Sequence, residues 1–159
     1  DVVDGGLVHW DNVAEVKYEG FEFELKYNFR RGNYLAANYT YQTFDFGDGD
    51  DGGMVPTQKG NVIANIRINK YLNFNTYCHF RDGYIRRETD SRDDVPGQAI
   101  FNATLIAKKF LRRFKGLELR ASVYNIFDTD YVTPTSTFRI PGDTPRPGRN
   151  YLLGIRYAF

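Results

Sequence analysis

The chain has 159 residues, enough for one domain with a sizeable core, and a formal net charge of +1, so neither a nucleic-acid partner nor an acidic substrate has an electrostatic case. Aromatic residues reach 16%, with 12 Tyr and 13 Phe, more than a soluble core of this size needs. No run approaches the roughly 18 consecutive apolar residues of a membrane-crossing helix.

The opening "DVVDGGLVHWDN" lacks the basic-then-apolar order of a signal peptide, which fits either a cytosolic chain or one whose start lies upstream. The single cysteine, Cys78, excludes an internal disulfide and a cysteine metal cluster, and reads as a small apolar residue.

Period-two alternation of β-branched and aromatic residues dominates, and helical periodicity is hard to find. In chain order the pattern predicts about seven strands, near 16–29, 34–44, 60–69, 72–81, 100–110, 117–127 and 150–159. No proline interrupts them, as paired strands require. The connections alternate in length. "RRGN", "KYL" and "LRRFKG" are tight turns, whereas the stretches near 45–59, 82–99 and 128–149 are long and rich in Gly, Asp and Pro. Antiparallel strands joined this way put every short turn on one side and every long loop on the other. A transmembrane β-barrel has that layout, with short periplasmic turns and long extracellular loops.

Successive strand residues point to opposite faces. One face carries Phe21, Phe23, Leu25, Tyr27 and Phe29, then Leu35, Ala37, Tyr39, Tyr41 and Thr43, then Val62, Ala64, Ile66 and Ile68. It continues through Leu72, Phe74, Thr76, Cys78 and Phe80, through Phe101, Ala103, Leu105 and Ala107, and through Leu117, Leu119, Ala121, Val123 and Asn125. Tyr151, Leu153, Ile155, Tyr157 and Phe159 complete it. None of these is charged, although 26% of the chain is. The other face holds Glu22, Glu24, Lys26, Arg67, Arg81, Lys108, Glu118, Arg120 and Arg156. Lipid demands such a clean face, because an Arg or Lys at mid-bilayer costs roughly 2–4 kcal/mol. A soluble sheet with one buried face shows the same parity. The aromatics Tyr27, Phe29, Phe80, Tyr151, Tyr157 and Phe159 favour lipid, since they sit toward strand ends as interfacial girdles do.

The stretch "ELRASVYNIFDTDYVTP" resembles the penultimate strand of TonB-dependent outer-membrane receptors, with its N-[LVI]-F-D-x-x-Y ending at Asn125, Ile126, Phe127, Asp128 and Tyr131. "PGRNYLLGIRYAF" is similar to the family's closing segment and last strand, and "NVAEVKYEGFEFELKY" to a family strand carried here by Asn12, Gly20, Glu22 and Glu24. "DVPGQAIFNATLIAKKF" fits the entry to the antepenultimate strand. The resemblance implies an all-β antiparallel transmembrane barrel segment, about seven strands of a barrel of about 22. It implies that residues 1–159 are the C-terminal barrel portion, with the plug domain and N-terminal strands outside them. It further implies active uptake of a scarce nutrient of the ferric siderophore, haem or cobalamin class in the bacterial outer membrane. Partners follow from the same likeness: outer-membrane lipid, the protein's own plug and remaining strands, the outer-membrane assembly machinery, TonB through the N-terminal part, and a small nutrient ligand, with no nucleic acid. The assembly signal it implies is Tyr151, Leu153, Ile155, Tyr157 and Phe159.

No cofactor, metal or enzymatic chemistry is expected. "DFGDGDDGG", with Asp45, Asp48, Asp50 and Asp51, fails as a calcium loop because the bidentate position counted from Asp48 falls on Lys59, leaving a solvated outer loop. His79 has only His9 for company, too few for a zinc site or triad, and reads as a wall residue. Glu22 and Glu24 read as wall carboxylates bridging to Lys26 and its neighbours. Arg67, His79, Arg81, Arg120 and Arg156 are the candidate lumen contacts to a plug or an anionic ligand. Tyr84, Tyr131 and Phe138 are the candidate loop contacts. Two other readings stand beside this one. A small self-contained outer-membrane barrel, an adhesin or lipid-modifying enzyme, requires an eighth strand within residues 1–12. A soluble β-barrel binding small apolar ligands requires the apolar face to point inward.

Overall fold

The computed structural model describes residues 17–45, 55–86, 90–135 and 142–159, and the backbone alone of 2–4 and 7–9. The strands are β1 (Val2–Asp4), β2 (Leu7–His9), β3 (Lys17–Asn28), β4 (Tyr34–Asp45), β5 (Gln58–Arg67), β6 (Leu72–Arg81), β7 (Gln98–Lys108), β8 (Leu117–Tyr124), β9 (Val132–Thr133), β10 (Thr144–Pro145) and β11 (Asn150–Tyr157). Seven of them form one antiparallel sheet in the order β11-β8-β7-β6-β5-β4-β3, a meander in which each strand pairs with its neighbour along the main sheet. β3 and β11 lie at opposite edges, so the sheet is an open section of wall. β1 pairs with β2 in a separate two-stranded sheet, so among the described residues neither adds an eighth strand to the main one. No helix among the described residues is long and apolar enough to cross a membrane, which leaves crossing by strands untouched.

The short turns are built by local chemistry. At 29–33 the Phe29 amide donates to the Asn33 carbonyl at 2.8 Å, and Arg31 and Gly32 both take positive φ to reverse the chain. At 69–72 the Asn69 side-chain oxygen accepts from the amides of Tyr71 (2.8 Å) and Leu72 (2.9 Å), an Asx turn. At Gly116 any side chain would strike the Ala158 carbonyl, which crosses close beside it.

Directly paired residues in an antiparallel ladder share a face. The register therefore joins the uncharged positions into one surface. Leu25 sits opposite Ala37, Ala37 opposite Val62, Val62 opposite Cys78 and Cys78 opposite Phe101. Farther along, Phe74 faces Leu105, Leu105 faces Ala121 and Ala121 faces Leu153. This apolar surface stays open: Leu153 is 82% exposed and Ile155 78%. The polar face is the better covered one, for Thr40, Gln42, Arg81 and Ser122 are all buried there. Among the described residues only Val95, Ile100 and Ile106 are buried apolar side chains, and Ile100 and Ile106 belong to the polar face. A sheet that covers polar groups and displays Phe, Leu and Ile is the reverse of a water-soluble sandwich, whose apolar face must point inward.

Aromatics on the apolar face gather in two belts. Phe21 lies 5.7 Å from Tyr41, and Tyr39 lies 6.4 Å from Phe80, at the long-loop end. Tyr27 meets Phe29 edge-on at 4.6 Å, and Tyr157 meets Phe159 at 5.0 Å, at the short-turn end. Phe21 to Phe29 spans about 27 Å along a strand, close to the apolar band of a barrel once tilt is allowed for.

One assignment changes. Asn125 does not continue β8 onto the apolar face. The strand ends at Tyr124, and Asn125 takes φ 51 and is 2% exposed, because its side chain organises the turn that follows.

Candidate lumen wall and outer-loop site

The polar face carries hydrogen-bonded rows that run across the strands. The Asn61 amide nitrogen donates to the Asn38 side-chain oxygen at 2.8 Å, and the Asn61 oxygen accepts from the Tyr77 hydroxyl at 2.6 Å and from His79 Nδ1 at 2.9 Å. Facing an amide oxygen, which only accepts, His79 Nδ1 is the donor in that contact. Asn73 donates to Asn65 at 2.8 Å, and Thr104 pairs with Ser122 at 2.9 Å. Glu22 and Glu24 do not bridge to Lys26, whose ammonium instead lies over the Tyr34 ring at 5.1 Å. With Lys59, Asn61 and His79 the two carboxylates line a recess of about 470 Å³.

The candidate lumen residues share this face without converging on one point. Arg67 and Arg120 lie in one row, linked through Asn73 and Ile106, so three strand spacings separate them by about 14 Å. Arg156 lies in the next row opposite Glu118, which pairs with Lys108 at 3.0 Å. His79 is about 20 Å farther along the strand. Arg81 leaves the lumen set: it is buried and donates to the Val132 carbonyl and the Gln98 side chain, both at 3.2 Å, and to the Asp82 carbonyl at 2.9 Å. Its guanidinium stacks 4.2 Å from the Tyr84 ring. Burying an Arg requires such donor satisfaction.

Beyond Arg81 the long loops are stapled together. Arg86 is buried, and its guanidinium meets Asp143 at 2.5 Å, Asp90 at 3.3 Å and the Asp93 carbonyl at 2.7 Å. Arg92 forks onto Asp90 at 2.6 Å and reaches the Thr135 carbonyl at 3.0 Å. The Arg92 hydrogen bond holds the Asp90 carboxyl well below the usual carboxylate range. Partial burial pushes Asp143 up, but hydrogen bonds from Arg86 and the Thr135 amide and two nearby guanidinium charges outweigh it and keep it depressed. The sequence reading did not find this staple. Arg86 and Asp90 stand four apart within a run of mixed charge, yet Asp143 comes from a different loop that only the fold brings near.

The loop after β6 folds back on itself through mutual Tyr84–Val95 backbone bonds of 2.8 and 3.1 Å. Between it, the long-loop end of β4 and the segment leading into β5 opens a cleft of about 490 Å³ whose lining includes Phe44, Val55, Asp82, Tyr84, Ile85 and Asp94. Asp82 accepts from the Gln58 amide through one oxygen; the other is buried without a hydrogen-bond partner among the described residues. Tyr84 therefore borders the cleft, whereas Tyr131 lies outside its lining, its carbonyl accepting from the Arg146 amide at 3.0 Å. Phe138, Asn12, Asp48, Asp50 and Asp51 fall outside the described residues, and Asp45 ends β4. Among the described residues no cluster of His, Cys, Asp or Glu could hold a metal ion.

The N-I-F-D and P-G-R segments interlock. The Asn125 amide donates to Asn102 at 2.9 Å, its side-chain nitrogen donates to the Thr129 carbonyl at 2.9 Å, and its side-chain oxygen accepts from the Thr129 amide at 3.0 Å. Asp128, also at positive φ, accepts from the Arg149 amide at 2.6 Å. Gly148 makes room for this, since a Cβ there would lie 2.7 Å from the Asp128 carboxylate. Phe127 returns to the apolar face, edge-on to Phe101 at 5.2 Å. The segment thus ties the end of β8 to the start of β11.

Comparison with known proteins accords with this geometry. No curated protein matches the sequence. Among solved structures, the siderophore receptor PiuA from Acinetobacter baumannii superposes with a TM-score of 0.69 at 19% identity, covering 89% of this chain and 22% of that one. The chain thus spans about a fifth of that receptor, and at this identity the likeness speaks for the fold. The model of the TonB dependent receptor-like beta-barrel family matches residues 1–126. With a lipid-type face, a polar wall and a family match over most of its length, this chain belongs to the TonB-dependent receptor β-barrel family.

Proposed function

We propose that residues 1–159 are the C-terminal wall of a bacterial outer-membrane receptor whose plug and remaining strands lie elsewhere in the polypeptide, and that this receptor takes up a scarce nutrient of the ferric siderophore, haem or cobalamin class. The observation that carries the reading is the inverted sheet, apolar side open and polar side covered, in a chain of this family. The short turns face the periplasm and the stapled loops face outward. The outer loops capture the ligand, with Tyr84 and the cleft beside it as their contact surface here. The plug completes the site and the lumen wall, and TonB acting on the plug opens the path. Arg67, Arg120 and Arg156, spread along the wall, suit contacts to a plug better than a single ligand pocket. No residue of this section performs covalent chemistry.

A strain lacking the whole receptor, grown under iron limitation and offered labelled ferric siderophores, haem and cobalamin in turn, is expected to lose TonB-dependent uptake of one of them. Unchanged uptake of all three would overturn the reading. Tyr151, Leu153, Ile155, Tyr157 and Phe159 are the strand read by the assembly machinery. Deleting Phe159 in the full receptor should lower its outer-membrane level while leaving ligand specificity unchanged, and normal levels would refute that role.

A further inference from the structure

The three short turns, 29–33, 68–71 and 109–116, carry basic residues and no acidic ones, whereas the long loops at the other end hold Asp82, Asp90, Asp93, Asp94 and Asp143. The β7–β8 turn concentrates this difference. Lys109, Arg112, Arg113 and Lys115 stand together there, and none forms an ion pair among the described residues. Between them Phe110, Leu111 and Phe114 are exposed. A water-facing turn gains nothing from displaying three large apolar side chains, and a turn meant only for solubility needs no such cluster.

The turn has a definite shape. The Phe114 amide donates to the Leu111 carbonyl at 3.1 Å, the Leu117 amide to the Phe114 carbonyl at 3.0 Å, and the Ala158 amide to the Gly116 carbonyl at 3.1 Å. These bonds set Phe114 edge-on to Tyr157 at 6.5 Å, and Tyr157 meets Phe159 in turn. Phe114 therefore extends the short-turn aromatic belt of the lipid-facing surface, and the cations flank it at the level where headgroups lie. Aromatic side chains favour that interfacial depth, and basic residues beside it attract anionic headgroups.

We infer that the 109–116 turn is a headgroup-binding site for anionic glycerophospholipids of the periplasmic leaflet, with Arg112 and Arg113 engaging the phosphate and Phe110, Leu111 and Phe114 seated among the upper acyl carbons. The inference rests on the orientation given under Proposed function. Its charge complementarity and its continuity with the lipid-facing belt select lipid as the occupant over a periplasmic protein.

The test uses the full receptor extracted from nanodiscs of mixed phosphatidylglycerol and phosphatidylcholine, with retained lipids counted by native mass spectrometry. The wild type should retain phosphatidylglycerol preferentially. R112Q/R113Q should weaken that preference about 25-fold, about fivefold for each cation near an anionic surface. R112K/R113K keeps the charge and should keep the preference, which separates loss of charge from loss of fold. Equal retention of the two lipids by the wild type, an unchanged preference in R112Q/R113Q, or its loss in R112K/R113K would overturn the site. Orientation is read separately by an Arg112→Cys variant in intact cells: protection from a membrane-impermeant thiol reagent supports a periplasmic turn, and labelling overturns the orientation itself.

Discussion

Placing one charge at two depths on the apolar face separates a lipid-facing surface from a packed protein interface. Leu153 lies between the two aromatic belts, and Leu117, opposite Tyr157, lies at the short-turn belt. The two positions are four residues apart in register, about 13 Å along the strand. Leu153 is 82% exposed, so replacing it removes little packing within this section, and the cost of Leu153→Arg is set by the solvent around it. In lipid an Arg costs about 2–4 kcal/mol near the midplane and about 0–1 near an interface. Both substitutions remove a leucine, but Leu117 is half-buried and loses packing that the exposed Leu153 does not, which narrows the depth difference, so L153R should exceed L117R by about 1–3 kcal/mol. Asn75→Arg, on the polar face opposite Asn65 and Thr104, should cost less than about 1 kcal/mol, since its charge meets the aqueous lumen. The assay is urea titration of the full receptor folded into phosphatidylcholine vesicles, followed by the gel shift of the heat-resistant barrel. Equal costs at Leu153 and Leu117, or a larger cost at Asn75 than at Leu153, would refute the lipid-facing assignment.

Asn125→Ala strands the Thr129 amide and carbonyl and places a side chain with no compensating bonds at positive φ, so it should destabilise by about 2–3 kcal/mol, read as a lowered urea midpoint. Gly148→Ala forces the Asp128 carboxylate off the Arg149 amide and should cost about 1–2 kcal/mol in the same titration, with a D128A background removing most of the difference between Gly and Ala. Asp90 and Asp143 have depressed folded-state pKa values, so their contribution is present above the unfolded carboxylate value of about 3.9 and fades as pH falls through the lower folded values. Protease resistance of the described loop residues 90–94, 132–135 and 142–143 should therefore be the same at neutral pH and at mildly acidic pH, and drop only in stronger acid. A loss centred near neutrality would show that these carboxylates do not hold the loops.

The strand pattern was legible because it depends on local information. Alternation assigns each residue to a face whatever the neighbouring strand is, and the three short turns force hairpin pairing of the strands they join, whereas the long loops leave the other pairings to the fold. All seven main strands appear where the alternation places them, with ends shifted by a few residues, as at β7, which runs from Gln98 rather than from about 100. Leu153, Leu105 and Val62 were assigned to one uncharged face from parity alone. What parity could not decide is which face is covered, since a soluble sheet and a membrane wall share it.

The site was legible only in part. The motif residues Asn125 and Asp128 stood out, but alternation carried Asn125 onto the apolar face, where a left-handed backbone and bonds to Thr129 and Asn102 remove it. Arg81 followed its strand onto the polar face, but its depth against Val132 and Gln98 depended on a loop folding over it. Arg86 and Asp143 are 57 positions apart, and no spacing rule links two loops at that distance. By itself the sequence determined the strands, their faces and the turns, because each follows from sterics and periodicity over a few residues. The tertiary structure alone decided the coverage of the polar face, the loop staple and the β8–β11 latch, because each needs groups from distant segments brought within bonding range.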